Sequence, residues 1–288
     1  METRDYVVGA GGVRLAVRES GPPGAPAVIL LHGWAQSAEA WTVRPIPGVL
    51  PDPAGRFRVL TVDLRGHGDS DVPAEDVGGY GDSATWAADV AALLDHVGTP
   101  AVLVGWSYGG LVITDYLRHH GTTGVAGVVL VGAITEIGRG RRGGRVGPVM
   151  RAALPAALSE DRAVAEPALR EFARGMTDRP LPEELGRHLL EVSLATPAPV
   201  RRALFAREAD SAEVLTAVDV PVLVVHGEDD AVVDPSCARF VAEHVPHAEV
   251  SWYPTGGHVP FLVEPERFGK ELAEFVRRCW TERTGSQR

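Results

Sequence analysis

The residue best placed for covalent chemistry in this sequence is Ser107, at the centre of Gly105-Trp106-Ser107-Tyr108-Gly109. The pentapeptide directly follows the apolar run Ala101-Val102-Leu103-Val104 and precedes a helical pattern carried by Leu111, Val112, Tyr116 and Leu117. Glycines two before and two after the serine allow a strand and a helix to meet at a sharp turn, and Gly110 adds clearance. Such a turn strains its central residue and projects the hydroxyl from the C-terminal edge of a sheet. The helix N-terminus behind it favours developing negative charge. Gly-x-Ser-x-Gly also arises by chance in a chain with 33 glycines, so the strand-to-helix placement is what makes it informative.

A serine hydroxyl needs a base. His258, in Gly256-Gly257-His258-Val259-Pro260-Phe261, lies in a loop between a strand-like stretch, Ala248 to Tyr253, and the last helix. The other histidines have blander readings. His96, His119 and His120 stand near helix ends, where cations suit the dipole; His244 and His247 read as surface positions. His188 lies in the middle region, and His32, His67 and His226 adjoin glycines at strand ends, where turn-stabilising hydrogen bonds are expected. The base in turn needs an acid to fix its tautomer. Gly227-Glu228-Asp229-Asp230 leaves a strand and supplies Asp230, with Asp229 and Glu228 open on chemistry alone. Asp234, before Pro235, reads as a helix cap. The order Ser, Asp, His suits this kind of nucleophile turn. For the oxyanion, the backbone N–H of Tyr108 and that of Trp34, in His32-Gly33-Trp34-Ala35, are the expected donors. Trp106 and Phe261 adjoin these groups and read as an acyl-pocket wall or as plain core. No CxxC pair and no Cys/His cluster points to a zinc site.

These loops must leave the C-terminal ends of neighbouring strands to converge. Val13 to Glu19 alternates apolar and polar residues, as a half-buried strand does. Ala27 to Leu31, Arg58 to Val62, Ala101 to Val104, Val125 to Val131 and Pro221 to Val225 are short apolar runs suited to parallel strands buried on both faces. Between them, Ser83 to Val97 carries Trp86, Val90, Leu93, Leu94 and Val97 on one helical stripe, and Phe268, Leu272, Phe275 and Val276 mark a final helix. Strands alternating with helices imply an α/β sheet. After Ile134 the pattern changes. Residues 138–145, basic and glycine-rich, read as a mobile solvated linker. From Val146 to about Val218 helical pieces punctuated by prolines replace strands, which points to a helical insertion.

The chain has 288 residues, 45% hydrophobic and 23% charged, and a formal charge of -10. That length suits one large domain with an insertion, and the acidity argues against nucleic acid as partner. Cys237 and Cys279 read as reduced thiols in amphipathic helices. No apolar run reaches the roughly 18 residues that span a bilayer, and residues 1–5 lack a signal-peptide pattern, so a cytoplasmic location is expected.

Taken together, Leu31-His32-Gly33-Trp34, Asp63-Leu64-Arg65-Gly66-His67-Gly68-Asp69-Ser70, Gly105 to Gly110, His226-Gly227-Glu228-Asp229-Asp230 and Gly257-His258 resemble the α/β-hydrolase superfamily. The resemblance is to its capped, cofactor-free branch of carboxylesterases and cofactor-independent haloperoxidases. It implies a mostly parallel twisted sheet with helices on both faces, a core of residues 1–133 and 219–288, and a helical cap of residues 134–218. It implies Ser107, Asp230 and His258 as a catalytic triad and Trp34 and Tyr108 as oxyanion donors, and it gives Asp63, Arg65 and His67 a structural turn only. Serine at the nucleophile position argues against carbon–halogen or epoxide cleavage. The expected function is hydrolysis of a carboxylic ester of a small or medium apolar molecule through an acyl-enzyme. The rivals are perhydrolysis, lactone or carbon–carbon bond hydrolysis on the same triad, and a ligand-binding receptor with little turnover. The partner is a small acyl substrate, and oligomeric state is not readable.

Overall fold

The computed structural model describes residues 3–41, 56–74 and 79–286. Eight strands form one sheet: β1 Thr3–Val8, β2 Arg14–Ser20, β3 Ala27–Leu31, β4 Arg58–Val62, β5 Ala101–Trp106, β6 Val125–Val131, β7 Val222–Gly227 and β8 Glu249–Tyr253. They lie in the order β1-β2-β4-β3-β5-β6-β7-β8. The β1–β2 and β2–β4 pairs are antiparallel, and every pairing from β4 to β8 is parallel. Strands β3, β5, β6 and β7 are buried on both faces, which is why they read as unbroken apolar runs rather than alternations. The order reverses between β3 and β5, with β4 on one side of β3 and β5 on the other. Loops leaving such a switch point diverge and open a crevice at the carboxyl ends of the strands. Register aligns those ends: Leu31 pairs with Gly105, Trp106 with Val131, Val131 with Val225, and Gly227 with Tyr253.

Strand β1 carries no sequence signal because only Val7 of its six residues is buried. An edge strand with one inward apolar residue shows no period of two. The boundaries of β3, β4 and β6 fall where the apolar runs begin and end.

The described helices are α1 Ser83–Val97, α2 Tyr108–His120, α3 Pro148–Ala157, α4 Arg162–Arg174, α5 Glu183–Ala195, α6 Ala198–Phe205, α7 Ala212–Thr216, α8 Ser236–His244, α9 Pro260–Val263 and α10 Pro265–Ser286. Asp82 caps α1 through the Ala84 N–H (2.9 Å), and Gly98 ends it at φ 68°. Trp86, Val90, Leu93, Leu94 and Val97 are its buried stripe, as the spacing predicts. In α10, Phe268, Leu272, Phe275 and Val276 are buried. Helices α3 to α7 fall between β6 and β7. Pro155 and Pro167 stand inside α3 and α4 rather than between helices. The buried face of α4, with Ala165, Leu169 and Phe172, offsets the hydrogen bond that Pro167 removes.

Residues 138–145 are partly exposed but tied to the body of the protein, not a mobile linker. The Gly143 carbonyl accepts from the Thr135 N–H (2.9 Å), and its own N–H donates to Glu136 Oε2 (2.9 Å). The Arg145 carbonyl accepts from the Asp234 N–H (2.9 Å), and Arg142 pairs with Glu243 (2.7 Å). Glycine richness here reflects close backbone packing rather than freedom: a Cβ on Gly144 would lie 2.3 Å from the Glu136 carbonyl oxygen. Both cysteines are buried. Among the described residues no helix is long and apolar enough to cross a membrane.

Candidate active site

Ser107 occupies the turn between β5 and α2 at φ 54° and ψ -116°, a region costly for any residue with a Cβ. The surroundings hold it there. Its N–H donates to the Val131 carbonyl (3.0 Å), and its carbonyl accepts from the Gly110 (3.0 Å) and Ile134 (3.2 Å) N–H groups. The flanking glycines are steric necessities. A Cβ on Gly105 would sit 2.6 Å from the Gly109 carbonyl, and one on Gly109 would sit 2.4 Å from the Leu31 carbonyl oxygen.

Across the crevice, His258 Nδ1 donates to Asp230 Oδ2 at 2.8 Å, with both side chains buried. Asp230 Oδ1 accepts from the N–H groups of Val232 (2.8 Å) and Val233 (2.9 Å). His226 Nε2 lies 3.4 Å from Oδ2 while bonded to the Val233 carbonyl at 3.1 Å. The carboxylate is therefore fixed at both oxygens. Asp229 and Glu228 are exposed, and Asp229 instead accepts from the Gly257 N–H (3.1 Å), steadying the histidine loop. Asp234 caps α8 by accepting from the Ser236 N–H (2.9 Å).

The His258 backbone is gripped from two sides that sequence reasoning missed. Trp106 Nε1 donates to the His258 carbonyl (2.9 Å), and the His258 N–H donates to the Met176 carbonyl (2.6 Å) in the turn after α4. A carbonyl acceptor leaves no trace in side-chain identity, so no sequence signal could have found Met176. The Trp106 ring lies 5.5 Å from the His258 ring. Trp106 thus brings the serine turn and the histidine loop side by side, although no hydrogen bond joins Ser107 Oγ to His258 among the described residues. Such contacts commonly tighten only when substrate arrives. Phe261 is fully buried against Trp41 (4.7 Å) and Trp106 (5.2 Å).

The loop after β3 passes directly over the serine. A Cβ on Gly33 would lie 3.0 Å from Ser107 Cβ and 3.5 Å from its Oγ. The backbone N–H of Trp34, the next residue, has no hydrogen-bond partner among the described residues. Tyr108 is the first residue of α2, so its N–H is one of those no helix carbonyl can serve.

Like His226, His32 and His67 do the structural work expected of them. His32 Nε2 accepts from the Leu64 N–H (3.0 Å), so Nδ1 carries the proton and donates to the Gly33 carbonyl (2.8 Å). His67 Nδ1 donates to the Arg65 carbonyl (3.0 Å). Arg65 itself forms a buried pair with Asp89 (2.6 Å), and Asp63 accepts from the Ala38 (2.7 Å) and Asp69 (3.0 Å) N–H groups. Burial holds the His32 imidazole down to about 4 and that of His67 to about 3, against an ordinary 6.5. Unfolded chains take up these protons below pH 6.5 while the folded chain refuses them until about pH 4. Stability present above pH 6.5 is therefore lost as pH falls, by about 1.4 kcal/mol per pH unit for each histidine at most. The urea midpoint is expected to drop steadily from pH 7 to pH 5. A flat midpoint over that range would show that these imidazoles are not held neutral.

A serine on a strand-to-helix turn, with a buried histidine–carboxylate pair on loops of the same sheet edge, defines a class. The chain belongs to the α/β-hydrolase family, whose pattern matches residues 28–271, and it is an enzyme of that family. Its relatives narrow this further. The structure of an esterase from Rhodococcus sp. ECU1013 is 45% identical, with a TM-score of 0.89 over 95% of this chain and 98% of that one. A putative aryl esterase from Burkholderia cenocepacia is 32% identical, with a TM-score of 0.84 over 97% and 100%. Among curated proteins, the pimeloyl-[acyl-carrier protein] methyl ester esterase of Vibrio vulnificus is 28% identical over 87% of this chain and 94% of that protein. The bifunctional esterase/perhydrolase of Acinetobacter calcoaceticus is 27% identical over 94% and 99%.

Proposed function

We propose that this chain is a serine esterase acting on small or medium apolar carboxylic esters through an acyl-enzyme on Ser107. The observation that carries the reading is the buried 2.8 Å hydrogen bond between His258 and Asp230, on a loop packed against the serine turn by Trp106. Esterase relatives spanning nearly the whole chain support the bond type.

In the first half-reaction His258 Nε2 takes the Ser107 proton as Oγ attacks the acyl carbon. The oxyanion is held by the N–H groups of Trp34 and Tyr108. Collapse breaks the ester C–O bond, and His258 returns the proton to the departing alcohol. Water then attacks the acyl-enzyme with His258 as base, releasing the acid and restoring Ser107. Asp230 keeps the proton on Nδ1 and stabilises the imidazolium.

Helices α3 to α7, residues 134–218 with their connections, form a cap over this site. The Trp34 ring meets Phe172 (5.7 Å) and Phe205 (5.3 Å) of these helices, which favours an apolar acyl group. The test combines fluorophosphonate labelling with a panel of p-nitrophenyl esters of graded chain length. The expected result is one label per chain, on Ser107, and turnover that peaks within the short to medium range. Labelling elsewhere, or Ser107 labelling without turnover of any ester, would count against it; the latter would favour a receptor. Adding hydrogen peroxide to the panel reads out perhydrolysis, the activity paired with esterase in the Acinetobacter relative.

A further inference from the structure

Both proposed oxyanion donors are backbone N–H groups, yet both residues also use their side chains, and both side chains reach the same helix. Trp34 Nε1 donates to the Arg201 carbonyl (3.1 Å). The Tyr108 hydroxyl donates to the Leu204 carbonyl (3.2 Å). Arg201 and Leu204 are three residues apart on α6, hence on one face. Arg207, just past the end of α6, donates to the Tyr108 hydroxyl (3.0 Å) and to Asp115 Oδ2 on α2 (2.6 Å). It also lies over the Tyr108 and Trp86 rings at 5.9 and 5.7 Å. Trp34, Tyr108, Asp115, Arg201, Leu204 and Arg207 are all buried.

Three further bonds stiffen the arrangement. Arg201 Nη1 donates to the Ser193 (3.1 Å) and Thr196 (2.8 Å) carbonyls, fixing the end of α5 to α6. Gln36, two residues after Trp34, donates to Ser193 Oγ (2.8 Å). The loops leaving β3 and β5 are thus referenced to one rigid body inside the insertion rather than only to each other. Two N–H donors must be held to about 0.5 Å to serve one oxyanion, and a misplacement of about 1 Å can cost about a hundredfold.

We infer that α6 with Arg207 is a positioning device for the oxyanion hole. Arg207 acts on the Tyr108 peptide through the tyrosine hydroxyl, and the Trp34 indole is its counterpart on the other donor. The inference rests on the proposed roles of Trp34 and Tyr108. Because Arg207 acts through the Tyr108 hydroxyl, it is a positioning residue.

The test uses Tyr108→Phe, which keeps the ring, and Trp34→Phe, which keeps an aromatic but smaller side chain; both keep the backbone N–H groups and cut the bonds to α6. A third variant, Arg207→Met with Asp115→Asn, removes the ion pair without leaving a lone buried charge. Steady-state kinetics on p-nitrophenyl acetate, inhibition by a trifluoromethyl ketone, fluorophosphonate labelling and thermal midpoint are measured on each. Expected is a kcat loss of about tenfold with KM within twofold, matched by an equal loss of affinity for the tetrahedral ketone adduct, because only the transition state uses the hole. Labelling at Ser107 persists at a reduced rate. If the double variant fails to fold, the two single variants decide. A kcat within twofold of the parent in both folded single variants, or a change confined to KM, overturns the inference. Failure of the triad reading is distinguishable, since it shows as a Ser107→Ala variant that retains turnover.

Discussion

Ser107→Ala is expected to lower kcat for p-nitrophenyl acetate by about 10⁶-fold and to abolish fluorophosphonate labelling. The size follows from the role. Without Oγ there is no acyl-enzyme, and water must attack the ester unaided by an activated nucleophile. What survives is the oxyanion hole and substrate binding, typically 10³ to 10⁴ over the uncatalysed reaction. The substitution is structurally mild. Ser107 Oγ makes no hydrogen bond among the described residues, and the bonds that fix the turn come from its backbone N–H and carbonyl. Alanine pays the same cost as serine at φ 54°. An unchanged thermal midpoint should therefore accompany the loss, which separates chemistry from unfolding. A variant retaining more than about a hundredth of the parent turnover would place the nucleophile elsewhere.

The sheet was legible because its strands are buried on both faces. Ala27 to Leu31 and Val125 to Val131 announce themselves as apolar runs, and the structure gives them the same limits. The serine turn was legible for a steric reason: Gly105 and Gly109 have no room for a Cβ. Strand β1 was not legible, because pairing along an edge uses backbone groups common to every sequence. The 138–145 stretch misled for a related reason. Arginine and glycine suggest solvent and mobility, but Gly143 is held by the buried Glu136, seven residues before it. Contacts between insertion and core were hidden most deeply. The acceptors at Met176, Arg201 and Leu204 are carbonyls, and the Arg207–Asp115 pair joins residues 92 apart. Local pattern places the groups of the site on their loops; what fixes those loops to one another is long-range and mostly main-chain.

Asp230→Asn is expected to lower kcat by about 10⁴-fold with little change in fold, because it should reverse the histidine tautomer. Asp230 Oδ1 is committed to the N–H groups of Val232 and Val233. An asparagine must keep its carbonyl oxygen there, or two buried donors lose their acceptor. Its NH₂ then takes the place of Oδ2, 2.8 Å from His258 Nδ1. Two donors cannot face each other, so Nδ1 becomes the acceptor and the proton moves to Nε2. An Nε2 that already carries a proton cannot take one from Ser107. The same substitution removes the negative charge opposite the imidazolium. Asp230→Ala is expected to add a stability loss, since it strips the acceptor from both valine N–H groups. Asp229→Asn is the control: that side chain is exposed and accepts from the Gly257 N–H rather than from His258, so a loss under tenfold is expected. Steady-state kcat of the three variants with thermal midpoints decides the matter. A loss under tenfold for Asp230→Asn, or a larger loss for Asp229→Asn, would move the acid to its neighbour.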